Sequence, residues 1–235
     1  MIEAEWWDYD DAEEMADAVA SDVAFIIESA LDARGEAIIA LPGGNTPTPI
    51  FARLAEAKLN WKRVTILPTD ERLVPPTSAL SNIGAIAKVF LPKGARVIPL
   101  ATDAAKDYKK AGHDADVRLA DMRWPLDLVW LGVGADGHTA SIFAGPDLTA
   151  AIEAPAKCRV IGTMPDPMPS AAPVARITLT RASILAARTL TLVLAGNDKR
   201  KMLEMAIRDG DHSTLPIGKV LAQAEQAIDI HWCAG

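Results

Sequence analysis

The sequence predicts an α/β protein: a mostly parallel sheet with helices on both faces. Short apolar runs, typical of strands buried on both sides, alternate along the chain with segments whose apolar residues recur at helical spacing. Half of the 235 residues are hydrophobic, which is enough for a well-filled core. We find no internal repeat or linker, so we expect a single domain over 1–235 and leave open a small subdomain within 140–180.

The first half of the chain alternates regularly between the two kinds of element. Apolar residues recur at helical spacing over 11–33, and Gly35 follows as a stop. The run AIIAL at 37–41 predicts a buried strand, after which Thr46 is expected to cap a helix with Pro47 in its first turn. The alternation continues with a strand over 63–67, a helix over 82–91, a strand over 96–100 and a helix-favouring stretch over 103–122.

The second half continues the pattern after its most apolar strand, LDLVWLGVG at 126–134. Four prolines between 162 and 175 predict an irregular loop over the surface. The remaining predicted elements are strands near 158–163, 176–180 and 189–195, helices over 198–208 and around 216–226, and a last strand over 227–232.

Charge and composition exclude several classes of function. The 24 basic and 31 acidic residues give a net charge of −7 and are scattered, so no nucleic-acid surface is expected. The acidic first residues do not resemble a targeting signal, and no apolar run approaches the roughly 20 residues that span a bilayer. Cys158 and Cys233 have neither metal-ligand nor disulfide spacing. We therefore expect a cytoplasmic protein that binds no membrane.

The segments that follow the predicted strands are polar, and in a parallel sheet ligands bind at the carboxyl ends of strands. In PGGNTP, Gly43 and Gly44 allow a sharp turn, and the helix that begins at Thr46 directs free N–H groups at the adjacent space. This motif predicts an anion-binding site, although an ordinary strand-to-helix turn explains it equally well.

Two further strand ends carry charge. In TDER, Arg72 could hold a phosphate, a carboxylate or a developing oxyanion. In GNDK, Lys199 begins a helix. Taken alone, each of these groups is better explained as solvated surface charge.

The segment LGVGADGHTAS contains the glycine spacing of a dinucleotide fingerprint, which requires a long helix directly behind the glycines. Gly145 and Pro146 interrupt the chain too soon for such a helix, so we reject that interpretation. The segment instead presents His138 at a strand end, close to Asp136. A histidine, with an ordinary pKa of about 6.5, is suited to accept a proton at neutral pH. No zinc-ligand spacing is present.

Together, these motifs resemble those of the 6-phosphogluconolactonases. LPGGNTP, TDERLVP…SN, LDLVWLGVGADGHTASIFAG, RITLT and AGNDK occur in the family's order from about residue 37 to 210. The resemblance implies the fold shared by glucosamine-6-phosphate deaminases and ribose-5-phosphate isomerase. It also implies a monomer that hydrolyses 6-phosphoglucono-δ-lactone to 6-phosphogluconate, in the pentose phosphate pathway, with no metal or cofactor.

The resemblance assigns roles to individual residues. It implies that His138 is the general base and then the acid, that Arg72 holds the substrate and offsets its charge, and that Asp70 orients Arg72 or a sugar hydroxyl. The substrate and its phosphate are expected to contact Gly43, Gly44, Asn45, Thr46, Ser81, Asn82, Arg176 and Lys199.

Two alternatives stay open. Related deaminases have a segment similar to DGHIAFNEPG, with an acid/base glutamate after the histidine, whereas Ser141 to Ala144 stand there in this chain. That difference favours the lactonase. A sensor without turnover would keep the phosphate seat, but the presence of His138 and Arg72 argues against it. The chain departs from the family at Asn45, where a hydroxyl residue is usual, and at Ala144, where proline is usual.

Overall fold

A computed structural model describes residues 2–101 and 107–235. Its strands are β1 Ala4–Tyr9, β2 Ala37–Leu41, β3 Val64–Pro68, β4 Asp70–Arg72, β5 Arg96–Val97, β6 Leu128–Leu131, β7 Val160–Thr163, β8 Arg176–Leu179, β9 Thr189–Ala195 and β10 Ile228–Cys233. Its helices are α1 Ala12–Arg34, α2 Pro47–Leu54, α3 Asn82–Phe90, α4 Tyr108–Leu119, α5 Leu148–Ile152, α6 Arg181–Leu185, α7 Asn197–Asp209 and α8 Pro216–Leu221.

Seven strands form one parallel sheet in the order β1-β10-β9-β6-β2-β3-β5. Apolar clusters lie on the two sides of this sheet, one built around α1, α2 and α3 and the other around α4, α7 and α8. The predicted fold class is therefore confirmed. The remaining strands form an antiparallel sheet in the order β4-β8-β7, and its residues Val160, Ile177 and Leu179 belong to the second of these clusters.

The structure also contains elements that the pattern did not predict. Strand β1 is a sheet edge with no fully buried residue, and Glu5 and Asp8 interrupt its apolar residues, so it has no long apolar run. Strand β4 consists of three charged residues. Helices α5 and α6 have five residues each, too few to establish a period.

Several predicted boundaries were wrong. Strand β5 ends at Val97, because Pro99 lacks the N–H that a longer ladder requires. Helix α8 ends at Leu221, β6 ends at Leu131, and the predicted loop begins only after β7. Helix α4 begins at Tyr108, and residues 103–106 of the predicted helix lie outside the described part of the chain.

The ends of α1 match the prediction, whereas the start of α2 does not. Asp11 accepts hydrogen bonds from the N–H groups of Glu13 and Glu14, and Gly35 closes α1 in the left-handed conformation with φ of 72°. Thr46 makes no side-chain cap for α2. The hydroxyl of Thr48, the second residue of the helix, donates instead to the Gly44 carbonyl at 3.2 Å.

A buried aspartate organises the amino-terminal edge of the parallel sheet. Asp127 is 1% exposed, and its Oδ2 accepts from the N–H of Ile38 at 2.8 Å and from Nη2 of Arg123 at 2.7 Å. Nη2 of Arg34 lies 2.8 Å and Nε of Arg188 lies 3.6 Å from Oδ1. One carboxylate thus ties α1, β2 and the loops before β6 and β9 together.

Burial should make the stability of the protein depend on pH through His231. Its Nδ1 lies 2.8 Å from the hydroxyl of Tyr9, and Nε2 lies 3.8 Å from Oδ2 of Asp22. Burial lowers the pKa of His231, and the charges of Asp22 and Asp229 only partly oppose this. Because the unfolded chain then binds the proton more tightly, the free energy of unfolding should fall as the pH drops below about 6.5.

Chemical denaturation at several values between pH 5.5 and 7.5 measures this dependence. We expect His231→Gln to have a flatter slope than the wild type, whereas the same change at the exposed His113 should leave the slope as it is. Equal slopes in all three proteins would show that His231 does not contribute.

Candidate active site

A cavity of about 300 Å³ opens at the carboxyl ends of the parallel strands, between the large and the small sheet. The predicted site residues Gly43, Gly44, Asn45, Thr46, Asp70, Arg72, Asn82, His138, Arg176 and Lys199 line it. Its other walls come from the ends of β6 and β9, through Trp130 and Val193, and from Pro169, Ala171 and Ala172 of the proline-rich loop. The chain thus brings ten of the eleven predicted residues together.

The glycines after β6 shape a tight turn around His138. The N–H of Gly134 donates to the His138 carbonyl at 2.9 Å, and the N–H of Gly137 donates to the Gly134 carbonyl at 3.0 Å. A Cβ on Gly134 would lie 2.2 Å from Cε1 and Nδ1 of the imidazole. The fully described stretch 132–147 contains no helix. The glycines therefore make room for the side chain of His138. They are not followed by the long helix that a dinucleotide fingerprint requires.

Asp136 holds one nitrogen of the imidazole. Its Oδ1 lies 2.5 Å from Nδ1 of His138 and also accepts from the backbone N–H of His138 at 3.2 Å. Burial alone would raise the pKa of Asp136, but the charge and hydrogen bonds of His138 outweigh burial and lower it. Ionised Asp136 favours the tautomer that keeps the proton on Nδ1, which leaves Nε2 to accept a proton from a ligand. No described residue hydrogen-bonds to Nε2 of His138.

Arg72 is the last residue of β4 and is linked to the glycine loop after β2 through Asn82. Its Nη1 donates to the Leu80 carbonyl at 2.9 Å and to Oδ1 of Asn82 at 2.7 Å. The Asn82 amide also packs against the loop, since a Cβ on Gly43 would lie 1.8 Å from Oδ1 of Asn82. Gly44, with φ of 102°, adopts a conformation that disfavours other residues. The contact between Asn82 and Gly43 links the glycine loop, the predicted anion-binding site, to the guanidinium of Arg72.

Register places a second guanidinium beside the first. In the antiparallel β4-β8 pair, Arg72 lies directly opposite Arg176. Arg176 is 3% exposed and donates to the carbonyls of Val174 and Ala172 at 2.6 and 2.7 Å. Burial, with a contribution from the charge of Arg72, lowers the pKa of Arg176. Together with Lys199 in the first turn of α7, the two arginines give the cavity an excess of positive charge.

Asp70 is linked to Arg72 through Asn82. Its Oδ2 accepts from the hydroxyl of Ser141 at 2.5 Å, and its Oδ1 accepts from Nδ2 of Asn82 at 3.3 Å. Oδ1 of Asn82 in turn accepts from Nη1 of Arg72, and the role of Asp70 in orienting Arg72 or a sugar hydroxyl stays a prediction. Asp70 still lines the cavity, where it can accept from a sugar hydroxyl.

Ser81 does not line the cavity, which corrects its predicted placement. Its hydroxyl accepts from the N–H of Gly84 at 3.0 Å as the cap of α3, and it donates to Oε2 of Glu71 at 3.2 Å. The hydroxyl thus makes both of its hydrogen bonds within the protein, and Ser81 as a whole is only 4% exposed.

Glu71 is a structural anchor that the sequence pattern did not single out from its charged neighbours. Its carboxylate accepts from the backbone N–H groups of Arg72, Asn82 and Ile83 at 2.7 to 2.8 Å. Burial raises the pKa of Glu71, and these three donors act in the opposite direction. Glu71 thereby fixes Arg72 and Asn82 relative to each other. A single buried acid of this kind leaves no periodic signal in a sequence.

The fold and the cavity define an α/β protein with a positively charged cavity that carries a histidine held by Asp136. The chain belongs to the family described as glucosamine-6-phosphate isomerases/6-phosphogluconolactonase, whose model matches residues 10–232. None of the helices in the described ranges is long and apolar enough to span a membrane.

Similar proteins carry a consistent name. A 6-phosphogluconolactonase of Mesorhizobium japonicum is 38% identical over 97% of this chain and 94% of its own length. The crystal structure of a 6-phosphogluconolactonase from Shewanella baltica superposes with a TM-score of 0.89 at 30% identity, covering 99% of this chain and 98% of that one. A 6-phosphogluconolactonase from Trypanosoma brucei gives a TM-score of 0.84 at 25% identity, covering 99% and 97% of the two chains.

Proposed function

We propose that this protein hydrolyses 6-phosphoglucono-δ-lactone to 6-phosphogluconate. The observation that carries the proposal is the imidazole of His138, held by Asp136 in the same cavity as Arg72 and Arg176. The names of the relatives support the same activity.

In the proposed reaction, His138 is both base and acid. Nε2 takes a proton from a water molecule as the water oxygen attacks the lactone carbonyl carbon. The resulting tetrahedral intermediate carries an oxyanion, and the guanidinium of Arg72 offsets its charge. When the bond from this carbon to the ring oxygen breaks, the imidazolium returns the proton to that oxygen. The products are a carboxylic acid, which ionises, and the freed hydroxyl.

The phosphate of the substrate is proposed to bind at the glycine loop after β2. Gly43 to Thr46 supply backbone N–H groups at the start of α2, while Lys199 and Arg176 supply positive charge. Asp70 is proposed to accept from a sugar hydroxyl. The expectations of a monomer and of a cytoplasmic location stay predictions.

The test is a coupled assay of lactone hydrolysis, corrected for the spontaneous rate and run beside an assay of ammonia release from glucosamine 6-phosphate. We expect activity in the first assay only, because Ser141 to Ala144 provide no carboxylate where the deaminases have an acid/base glutamate. Ammonia release would place the chain in the deaminase branch. Binding of 6-phosphogluconate without turnover in either assay would indicate a sensor.

Lys199→Ala should separate phosphate binding from chemistry. The lysine is half-buried at the cavity and would contact a group that does not react. Its loss should raise KM about tenfold and leave kcat within about twofold, since this interaction is equal in the ground and transition states. Lys201→Ala, on the exposed face of the same helix, is the matched control. A lower kcat with unchanged KM would place Lys199 at the reacting carbonyl.

A further inference from the structure

The side chain of Phe143 contacts the imidazole of His138. The two rings are stacked, with centroids 4.2 Å apart and planes 24° from parallel. Phe143 also lines the cavity, so its ring forms part of the wall on which His138 lies. The roles assigned above leave this side chain without a function.

The hydrogen bond that Nδ1 donates to Asp136 leaves the imidazole one important freedom. The covalent bond at Cγ and the hydrogen bond at Nδ1 hold one edge of the ring, so the ring can still rock about that edge, and rocking moves Nε2 away from the direction in which it must meet water. A flat ring stacked on one face removes this motion. The geometry therefore makes the aromatic ring a second constraint on the direction of Nε2, independent of the hydrogen bond.

The backbone before Phe143 is well suited to hold its ring in place. Ile142 is fully buried, and its N–H donates to the Thr139 carbonyl at 2.9 Å. Ser141 is fixed by its bond to Asp70 and by its N–H, which donates to the hydroxyl of Thr178 at 3.1 Å. Ala140, with φ of 47°, is the non-glycine residue with left-handed backbone in this turn. These contacts tie the turn to β4 and β8 of the small sheet, where Asp70 and Thr178 lie opposite each other.

We propose that Phe143 is a positioning residue for lactone hydrolysis, which acts by holding the plane of the His138 imidazole so that Nε2 faces the reacting carbonyl. This inference rests on the proposed function. It differs from a binding role, because a residue that acts only through His138 changes kcat and leaves the affinity for the phosphorylated sugar unchanged.

Phe143→Leu and Phe143→Met keep an apolar side chain but remove the flat ring, and Phe143→Tyr retains the ring. We expect the first two variants to lower kcat about tenfold with KM within about twofold, and the tyrosine variant to restore most of kcat. Phe25→Leu, at an exposed position on α1, is the matched control. Proton NMR of the His138 ring provides a readout independent of turnover: the ring-current shift from the stack should disappear with leucine or methionine and persist with tyrosine.

Each of four results would overturn the inference: wild-type kcat in the leucine and methionine variants, equal losses with leucine and tyrosine, a changed KM with unchanged kcat, or a lowered kcat with the His138 ring signals unmoved. A wild-type protein that forms the ring stack but does not hydrolyse the lactone would instead overturn the proposed function, so the two failures are distinguishable.

Discussion

Replacing His138 with alanine should lower kcat for lactone hydrolysis by about 10²- to 10⁴-fold, the range attributed to a positioned general base. The variant loses the nitrogen that takes the proton from water, and no other described histidine lines the cavity. Arg72, Arg176 and Lys199 remain, so the affinity for 6-phosphogluconate should change by less than about threefold. Steady-state kinetics and titration calorimetry with the product measure the two quantities.

The exposed His113 provides the control for this substitution, because alanine at that position should leave both quantities unchanged. If the His138→Ala protein turned over the lactone at the wild-type rate, another group would have to be the base. If it lost product binding as well, His138 would be a substrate contact whose removal disrupts the whole cavity.

Asp127→Ala should destabilise the protein by about 3 kcal/mol, which corresponds to a fall in Tm of about 6–12 °C for a domain of this size. The substitution leaves the guanidinium groups of Arg34, Arg123 and Arg188 without their shared partner and the Ile38 N–H without its acceptor. Partial exposure of these arginines limits the loss. Thermal unfolding followed by circular dichroism gives the difference in Tm.

A matched variant, Asp211→Ala, removes an exposed carboxylate from the turn after α7 and should shift Tm by less than about 2 °C. Because Asp127 lies at the edge of the sheet opposite to the cavity, kcat of Asp127→Ala should match the wild type well below its Tm. An unchanged Tm would mean that the arginines find equivalent partners in solvent or among themselves.

Strands β2, β3 and β6 of the large sheet were predictable because they are continuous apolar runs. AIIAL, VTIL and LVWL are buried along nearly their whole length. The small sheet was not fully predictable, since DER pairs through its backbone and none of its three residues is apolar. Edge strand β1 of the large sheet was missed for a related reason: Glu5 and Asp8 interrupt its apolar residues, none of which is fully buried.

The site was predictable to the extent that strand ends and glycines mark it. His138, Arg72 and the Gly43–Gly44 pair follow strands directly, and all of them line the cavity. Glu71 and Asp127 contact partners that are distant in sequence and Phe143 stacks on His138, which spacing alone does not reveal. The correction at Ser81 has the same origin, because hydrogen-bond partners depend on side-chain directions.

Strand β1 pairs along its whole length with β10, from Ala4 opposite Ile228 to Tyr9 opposite Cys233. During synthesis on the ribosome, β1 emerges long before β10, so it cannot form its ladder until β10 has also been made. Throughout that interval Trp6 and Trp7 have no partner strand, and the acidic residues around them disfavour association with other nascent chains. This edge of the sheet can therefore close only after β10 has left the ribosome.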